Sequence, residues 1–145
     1  MKWLLIVVVA LMVIVAAIAA VGAKLPREHQ ASRTLRVRRP PADVWAAVTA
    51  ATGAASVPVD VLESKPPYHQ VTRVKETEKN FGGTWTIAIV AEPRWSALTI
   101  TEDGWVANPI FRFMSRFVIG HHATMDGILK QVAKALNEEP ALSGE

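Results

Sequence analysis

Two adjacent histidines stand inside a segment that otherwise has the character of an apolar helix, FVIGHHATMDGIL at residues 117–129. Imidazole rings titrate near neutral pH, bind metals and shuttle protons, so His121 and His122 are the first candidates for chemistry. A metal site requires further ligands, and the sequence has no cysteine, no HExxH motif and no carboxylate cluster to supply them. The sequence therefore predicts neither a metal nor a cofactor, and a proton shuttle or a pocket wall remain as interpretations.

Helical periodicity indicates where the two histidines point. At roughly 100° per residue, His121 falls in an apolar stripe, and a basic side lies opposite. The stripe consists of Ile110, Met114, Phe117, His121, Met125, Ile128 and Val132. The basic side consists of Arg112, Arg116, Lys130 and Lys134. We therefore expect His121 to face inward, while His122 and Asp126 form an i,i+4 pair at the margin.

An inward histidine requires a partner, because a buried polar group without a hydrogen bond costs about 1–3 kcal/mol. Glu102 has the same strand parity as Leu98 and Ile100, so the sequence predicts that Glu102 faces His121. This contact can fix the helix register, recognise a ligand or act as an acid–base pair. The predicted ligand-binding residues are Trp85, Ile87, Leu98, Ile100, Glu102, Phe113, Phe117, His121 and Met125. The alternative is that the apolar residues among them form an ordinary hydrophobic core.

Signatures of an enzyme are weak in this sequence. It has no nucleophile elbow, no P-loop and no GxGxxG motif after a strand, so no catalytic residue is assigned. Gly120 and Gly127 are seven residues apart and so share one side of the predicted helix. Their missing side chains either admit a neighbouring backbone or are merely tolerated.

The N-terminal segment from Trp3 to Ala23 has no charged side chain and precedes the elements that carry these residues. A helix of that length spans about 30 Å, the thickness of a bilayer core. The apolar run exceeds the roughly 7–15 residues of a signal-peptide core, so we expect an uncleaved, single-pass membrane anchor at residues 1–24. A cleaved signal peptide is the alternative.

The net charge of +3 is unevenly distributed. Residues 24–39 carry six basic side chains and one acidic side chain, whereas residues 40–145 carry nine basic and twelve acidic ones. This pattern predicts a basic belt beside the membrane and no nucleic-acid partner, with a solvated strand face as the alternative. The positive-inside rule favours a cytoplasmic domain, although the missing cysteines fit either compartment.

Alternation and helical periodicity then predict one strand, one helix, four strands and a long C-terminal helix that starts at Asn108-Pro109. This order indicates an α+β domain with an antiparallel sheet of about five strands packed on the C-terminal helix. We assign residues 25–31 to a linker, 32–137 to the domain and 138–145 to a polar tail. The predicted strands are SRTLRVRR, VPVDVLES, HQVTRVKE, TWTIAIV and WSALTITEDGWV.

Four segments resemble the SRPBCC superfamily of START-like or polyketide-cyclase-like helix-grip domains, and specifically its membrane-anchored bacterial members. They are LPREH, PPADVWAAVT, FGGTWTI and LTITEDGWVANPIFRFMSRFVIGHHATMDGIL. The resemblance implies a curved sheet that grips the C-terminal helix around an apolar cavity. Such domains usually have two more strands, and here only residues 52–56 bridge that position. We therefore expect a shortened sheet whose open edge is covered by the first helix or paired with a second copy.

Three functions follow as hypotheses. The favoured one is membrane-tethered binding of a lipid or another hydrophobic small molecule. The second is a cyclase-like or dehydrase-like enzyme with His121 and Glu102 as acid and base, and the third is an interaction module with an open sheet edge. A closed apolar cavity favours the first, a solvent-connected cavity with converging polar groups favours the second, and no cavity favours the third.

Overall fold

The computed structural model describes residues 1–54, 57–75 and 80–144. The order of the elements follows the prediction up to the fifth strand, after which the predicted single helix is divided and one short strand is added. The elements are α1 (Lys2–Lys24), β1 (Glu28–Val37), α2 (Pro41–Gly53), β2 (Val59–Lys65), β3 (His69–Val74), β4 (Phe81–Ala91), β5 (Ser96–Val106), α3 (Pro109–Met114), a π-helical turn (Ser115–Ile119), α4 (Ala123–Ala135) and β6 (Leu142–Ser143).

An antiparallel sheet in the order β2-β3-β4-β5-β1-β6 forms one layer, and α2 and α4 pack on its inner face. The predicted α+β helix-grip class is confirmed, with five long strands and the two-residue β6. Parts of the predicted linker and of the predicted polar tail lie in the sheet. Residues 28–31 belong to β1 and not to a linker, and the tail is not free, because Leu142 pairs with Leu35 and Ser143 with Thr34.

The single long C-terminal helix is also wrong. Asn108 caps α3 as predicted, and its Oδ1 accepts a hydrogen bond from the Ile110 N–H at 2.8 Å. The chain then passes through the π-helical turn to Gly120, whose φ of 81° favours glycine, and α4 starts only at Ala123. The helix restarts after Gly120, so counting at roughly 100° per residue through this glycine cannot predict the inward face on both sides of it. The predicted inward face is correct in α4 and not in α3.

Burial along the two helices follows this break. In α4 the predicted stripe residues Met125, Ile128 and Val132 are buried. In the first half two assignments are wrong, since Arg112 is 8% exposed and Phe117 is 60% exposed. The main core therefore lies between α2, α4 and the end of the sheet farther from α1. Its fully buried members include Leu35, Val37, Val44, Val48, Leu98, Ile100, Leu129 and Val132.

The basic residues of β1 do not form one belt beside α1. Glu28 pairs with Trp105 near α1 and Val37 with Ser96 at the other end, about 30 Å away at the rise of a strand. Two arginines of this strand and the two that follow it contact other parts of the chain. The contacts are Arg33 Nε to Asp126 Oδ1 at 2.9 Å, Arg36 to Glu92 at 3.2 Å, Arg39 to Glu138 at 4.0 Å, and Arg38 over the Trp95 ring at 4.5 Å.

The apolar helix α1 is long enough to span a membrane, a property that signal sequences share. Most of its length is exposed, and its last turns pack against α3. Gly22 is buried in this contact, where an added Cβ would overlap the carbonyl group of Pro109. The glycine therefore permits the two backbones to approach each other closely.

The shortened connection after α2 reaches Ala55 and Ser56, which lie outside the described residues. Beyond it, β2 forms one edge of the sheet. The helix α2 contacts α4, β4 and β5, so it lies over the interior of the sheet. The predicted cover of the open edge by this helix is therefore not seen within the described ranges.

Candidate ligand-binding cavity

A cavity of about 700 Å³ lies between the inner face of the sheet, the C-terminal end of α2 and the segment from α3 to His121. Alternate residues of three strands form its floor, as expected for side chains on one face of a sheet. They are Val59 and Val61 of β2, Gln70, Thr72 and Val74 of β3, and Trp85 and Ile87 of β4. The floor is mainly apolar, which suits a hydrophobic ligand.

The cavity opens at the surface between two groups of apolar side chains. Phe111 and Ile119 lie on the helical side, and Val61 and Phe81 lie on the sheet side. Each of these four residues lines the cavity, and each has more than half of its surface exposed. A mouth flanked by exposed large apolar side chains is unusual for a surface that faces water alone.

A cluster of ionisable side chains lines this mainly apolar space. The carboxylate Oε1 of Glu102 lies 3.1 Å from Nε2 of His29, and both side chains are largely buried. The ring of His121 stacks on the ring of His29 with centroids 4.3 Å apart and an angle of 21° between the planes. Since the rings are stacked, their in-plane nitrogen lone pairs do not converge on a common point, which is unsuited to shared metal ligation.

Gly104 provides the space for this cluster. The register of β1 and β5 places His29 directly opposite Gly104. A Cβ at residue 104 would lie 2.6 Å from Cε1 of His29 and 3.0 Å from Oε1 of Glu102. The glycine therefore lets the His29 ring lie against the strand backbone and reach Glu102.

The electrostatics of the cluster keep His121 uncharged. Burial lowers the pKa of the His121 imidazole below its ordinary value, because desolvation disfavours the cation. His29, Arg116 and His122 lower this pKa further, and the Glu102 carboxylate opposes them. At neutral pH His121 therefore offers one hydrogen-bond donor and one acceptor to a polar group in the cavity.

Four of the predicted site residues line the cavity: Trp85, Ile87, Glu102 and His121. The inward parity of Glu102 was predicted correctly, but its hydrogen-bonding partner is His29 and not His121. The remaining five do not line it. Leu98, Ile100 and Met125 are fully buried in the core, where α4 packs closely on the sheet.

The other two predicted residues, Phe113 and Phe117, contact each other with ring centroids 5.0 Å apart. They lie on the segment before Gly120, where the π-helical turn changes the phase of the helix, so the predicted stripe does not direct them into the cavity. From the same segment, Phe111, Met114, Ser115 and Ile119 line the cavity instead.

Asp126 also has a different partner from the predicted one. It faces Arg33 across the helix–sheet interface, not His122. Arg33 Nε and Asp126 Oδ1 are 2.9 Å apart but lack the geometry of a hydrogen bond, so we describe the contact as an ion pair. Of the two interpretations of Gly120 and Gly127, tolerance fits and close approach does not. Apart from chain neighbours and the local helix backbone, no described atom lies within 4 Å of a Cβ added at either position.

His29 was missed because it was assigned to the linker. The alternation of inward side chains in β1 in fact extends back from Val37 and Leu35 through Arg33 and Ala31 to His29. The signal that the sequence contains is a histidine that continues the inward alternation of the strand. The pairing of these two strands is a long-range feature that periodicity alone does not reveal.

The assignment of the Glu102 partner leads to a prediction for a double-mutant cycle. We expect His29→Leu and Glu102→Gln to couple by about 0.5–3 kcal/mol in thermal unfolding, because leucine leaves the carboxylate without its partner and glutamine replaces a charge-assisted hydrogen bond by a weaker neutral one. His121→Leu serves as the matched control and should couple to Glu102→Gln more weakly. Additive effects at His29 and Glu102, or stronger coupling through His121, would contradict the assigned hydrogen bond.

Comparisons with known proteins agree with this architecture at the level of the fold. No protein-family model matches the chain, and no curated protein matches it in sequence. A conserved protein from Geobacillus kaustophilus is similar in structure, with a TM-score of 0.62 at 13% identity over 79% of this chain and 99% of its own. The fold is shared.

Two further solved structures are also similar. Protein MLL2253 from Mesorhizobium loti has a TM-score of 0.59 at 10% identity, over 75% of this chain and 97% of its own. CalU16 from Micromonospora echinospora has a TM-score of 0.53 at 12% identity, over 78% of this chain and 83% of its own. At such identities these similarities show the fold alone.

Proposed function

We propose that this chain is a membrane-tethered member of the SRPBCC superfamily that binds a lipid or another hydrophobic small molecule in its helix-grip cavity. The observation that carries this proposal is the cavity of about 700 Å³, whose walls are mainly apolar and whose mouth is flanked by exposed apolar side chains. Its open mouth and its polar cluster favour the enzyme that is described below as the second candidate. This volume lies in the range of about 300–1,000 Å³ that is typical of ligand pockets. An apolar ligand with one hydrogen-bonding group fits such a lining, with its polar end at His29, Glu102 and His121.

The proposed tether is α1, and the domain then lies on one side of the bilayer. The exposure of most of α1 supports this proposal, because a helix of the protein core would be covered by other elements. Lys24 and Arg27 follow the apolar segment directly, which favours the cytoplasmic side for the domain. A soluble mature chain that starts near Lys24 would contradict the tether and leave the cavity proposal intact.

Filling the cavity tests the binding function. Thr72 lies on β3 opposite Trp85 and points into the cavity, and its neighbour Arg73 lies on the other face of the same strand. We expect Thr72→Trp to weaken binding of a dansyl-labelled fatty acid at least about tenfold, because the indole occupies ligand space. Arg73→Trp is the matched control and should leave the affinity unchanged.

Both variants are compared with the unmodified chain in detergent by fluorescence titration, and thermal unfolding shows that each is folded. Equal affinities for the three proteins, or no saturable binding by the unmodified chain, would contradict a ligand-binding cavity. Native mass spectrometry of the purified protein, followed by lipid extraction, identifies the ligand that it carries.

A second candidate function is an acid–base enzyme of the cyclase or dehydrase type. The hydrogen bond between Glu102 and His29 favours it, because a carboxylate that orients an imidazole is a common arrangement for proton transfer. The test uses the ligand extracted from the cavity. Incubation with fresh protein should change its mass or its chromatographic retention if catalysis occurs, and an unchanged ligand would argue against the enzyme.

A further inference from the structure

The segment Ile110–Ile119, which comprises most of α3 and the whole π-helical turn, carries a group of exposed apolar side chains. Phe111 is 52% exposed, and Phe117, Val118 and Ile119 are each at least 60% exposed. Fully hydrated, such a group on one short segment would be unfavourable, and groups of this kind mark contacts with a protein or a membrane.

The contact between α1 and α3 favours a membrane over a protein as the partner of these side chains. Ile18 and Ala19 are half-buried and Gly22 is buried, so the last two turns of α1 lie beside α3. The backbone of Gly22 meets that of Pro109, the first residue of α3. Whatever surrounds the last turns of α1 therefore also reaches the start of α3.

The depth of this contact can be estimated from the geometry of a helix. If the apolar segment from Trp3 to Ala23 is centred in a bilayer, Gly22 lies nine residues from its midpoint, which corresponds to about 14 Å. The hydrocarbon core extends about 15 Å from the centre. Pro109 then lies at the boundary between the acyl chains and the headgroups, the depth at which exposed apolar side chains of peripheral helices are buried.

The charges near this segment agree with a membrane surface. Arg116 is exposed in the π-helical turn, and Lys24 and Arg27 are exposed at the end of α1. Basic side chains at the headgroup level interact favourably with anionic lipids, by about 1 kcal/mol for each residue.

We infer that Ile110–Ile119 lies in the lipid–water interface beside the end of α1, so that the mouth of the cavity at Phe111 and Ile119 opens onto the bilayer. This inference rests on the proposed membrane tether, and it adds a defined contact surface and a route for the ligand. A lipid reaches the cavity from the membrane without crossing water. The opening of the cavity at the surface then does not expose its apolar walls to bulk solvent.

Single-cysteine labelling tests this placement, and the natural sequence has no cysteine that would interfere. The full chain is reconstituted in nanodiscs of phosphatidylcholine and phosphatidylglycerol, with a nitroxide at Val118→Cys. Its depth is measured from collisions with oxygen and with a water-soluble nickel chelate. We expect the label at residue 118 to lie about 5–10 Å below the headgroups, as for the apolar face of an interfacial helix.

The matched control is Val90→Cys, since Val90 is 59% exposed, compared with 62% for Val118. Val90 pairs with Ala97 at the end of the sheet away from α1, and its label should remain in water. Val9→Cys reports whether α1 itself is inserted, and Phe117→Cys provides a second position in the segment. Labels at 117 and 118 that remain in water overturn the inference, whether the label at residue 9 is in lipid or not.

The dansyl-labelled fatty acid is titrated into the same samples. If it binds while the label at residue 118 is in water, the interfacial placement fails and the binding function stands. If the label is in lipid and the fatty acid does not bind, the placement stands and the proposed binding function fails.

Discussion

Gly83→Ala is expected to destabilise the domain by about 3–5 kcal/mol, because it combines backbone strain with overlap between two strands. Gly83 has a φ of 148°, a conformation that residues with a side chain rarely adopt. A Cβ at this position would overlap the carbonyl oxygen of Asp103 and lie 2.7 Å from Cα of Gly104. These atoms belong to the backbone of β5, so no side-chain rotation relieves the contact.

Thermal unfolding in detergent, followed by near-ultraviolet circular dichroism, measures this effect as a fall in Tm of more than about 10 °C. Gly127→Ala is the control. Apart from chain neighbours and the local helix backbone, no described atom lies within 4 Å of a Cβ added at residue 127 in α4, so alanine there should stabilise the helix by up to about 1 kcal/mol. A Tm that Gly83→Ala leaves unchanged would contradict the close pairing of β4 and β5 at Gly83 and Gly104.

The requirement for glycine at residue 83 illustrates what local sequence patterns determine. Alternation in TWTIAIV and WSALTITEDGWV correctly predicted two strands and the inward side of each, because the period of two is a property of each strand alone. The two glycines before TWTIAIV do not by themselves reveal a close contact with another strand. The need for Gly83 arises from its place opposite Gly104, and this register depends on a residue that is distant in sequence.

The candidate site also depends on strand register, which local sequence patterns do not determine. Parity placed Glu102 on the inner face, which is correct, but its partner comes from β1 and not from the C-terminal helix. His29 becomes that partner because the register of β1 with β5 places it opposite Gly104. Periodicity within either strand does not contain this information.

The prediction for the helical half of the site was wrong for a different reason. An uninterrupted stripe requires uninterrupted helical geometry, and residues 109–119 are consistent with a helix when considered alone. The positive φ at Gly120 and the π-helical turn separate this segment from α4. As a result, α4 packs on the core while α3 packs on α1. The cavity lies where these two directions diverge, which explains why Met125 is in the core and Ile119 is at the mouth.

The junction between the apolar helix and the domain depends on Arg112, which the stripe had placed toward solvent. This side chain is buried, and its two terminal nitrogens donate to backbone carbonyls at both sides of the junction. Nη1 donates to the carbonyl of Leu25, after α1, at 2.8 Å. Nη2 donates to the carbonyl of Ala107, just before α3, at 3.1 Å. One guanidinium group therefore fixes the end of α1 relative to the start of α3.

We expect Arg112→Ala to destabilise the domain by about 3–5 kcal/mol, because hydrogen bonds from a charged group contribute about 1.5–3 kcal/mol each and two carbonyls lose their donor. Arg116→Ala is the matched control. Arg116 is exposed on the next turn, so its removal should change stability by less than about 0.5 kcal/mol. Unfolding of the full chain in detergent measures both variants.

Arg112→Lys separates the charge of the side chain from its geometry. An ammonium group keeps the positive charge but lacks the planar fork that reaches two carbonyls at once, so lysine should recover only part of the lost stability. Full recovery with lysine would show that the charge alone is sufficient. If Arg112→Ala were as stable as Arg116→Ala, the two hydrogen bonds would not hold α1 against the domain, and the fixed depth of α3 beside α1 would lose its structural basis.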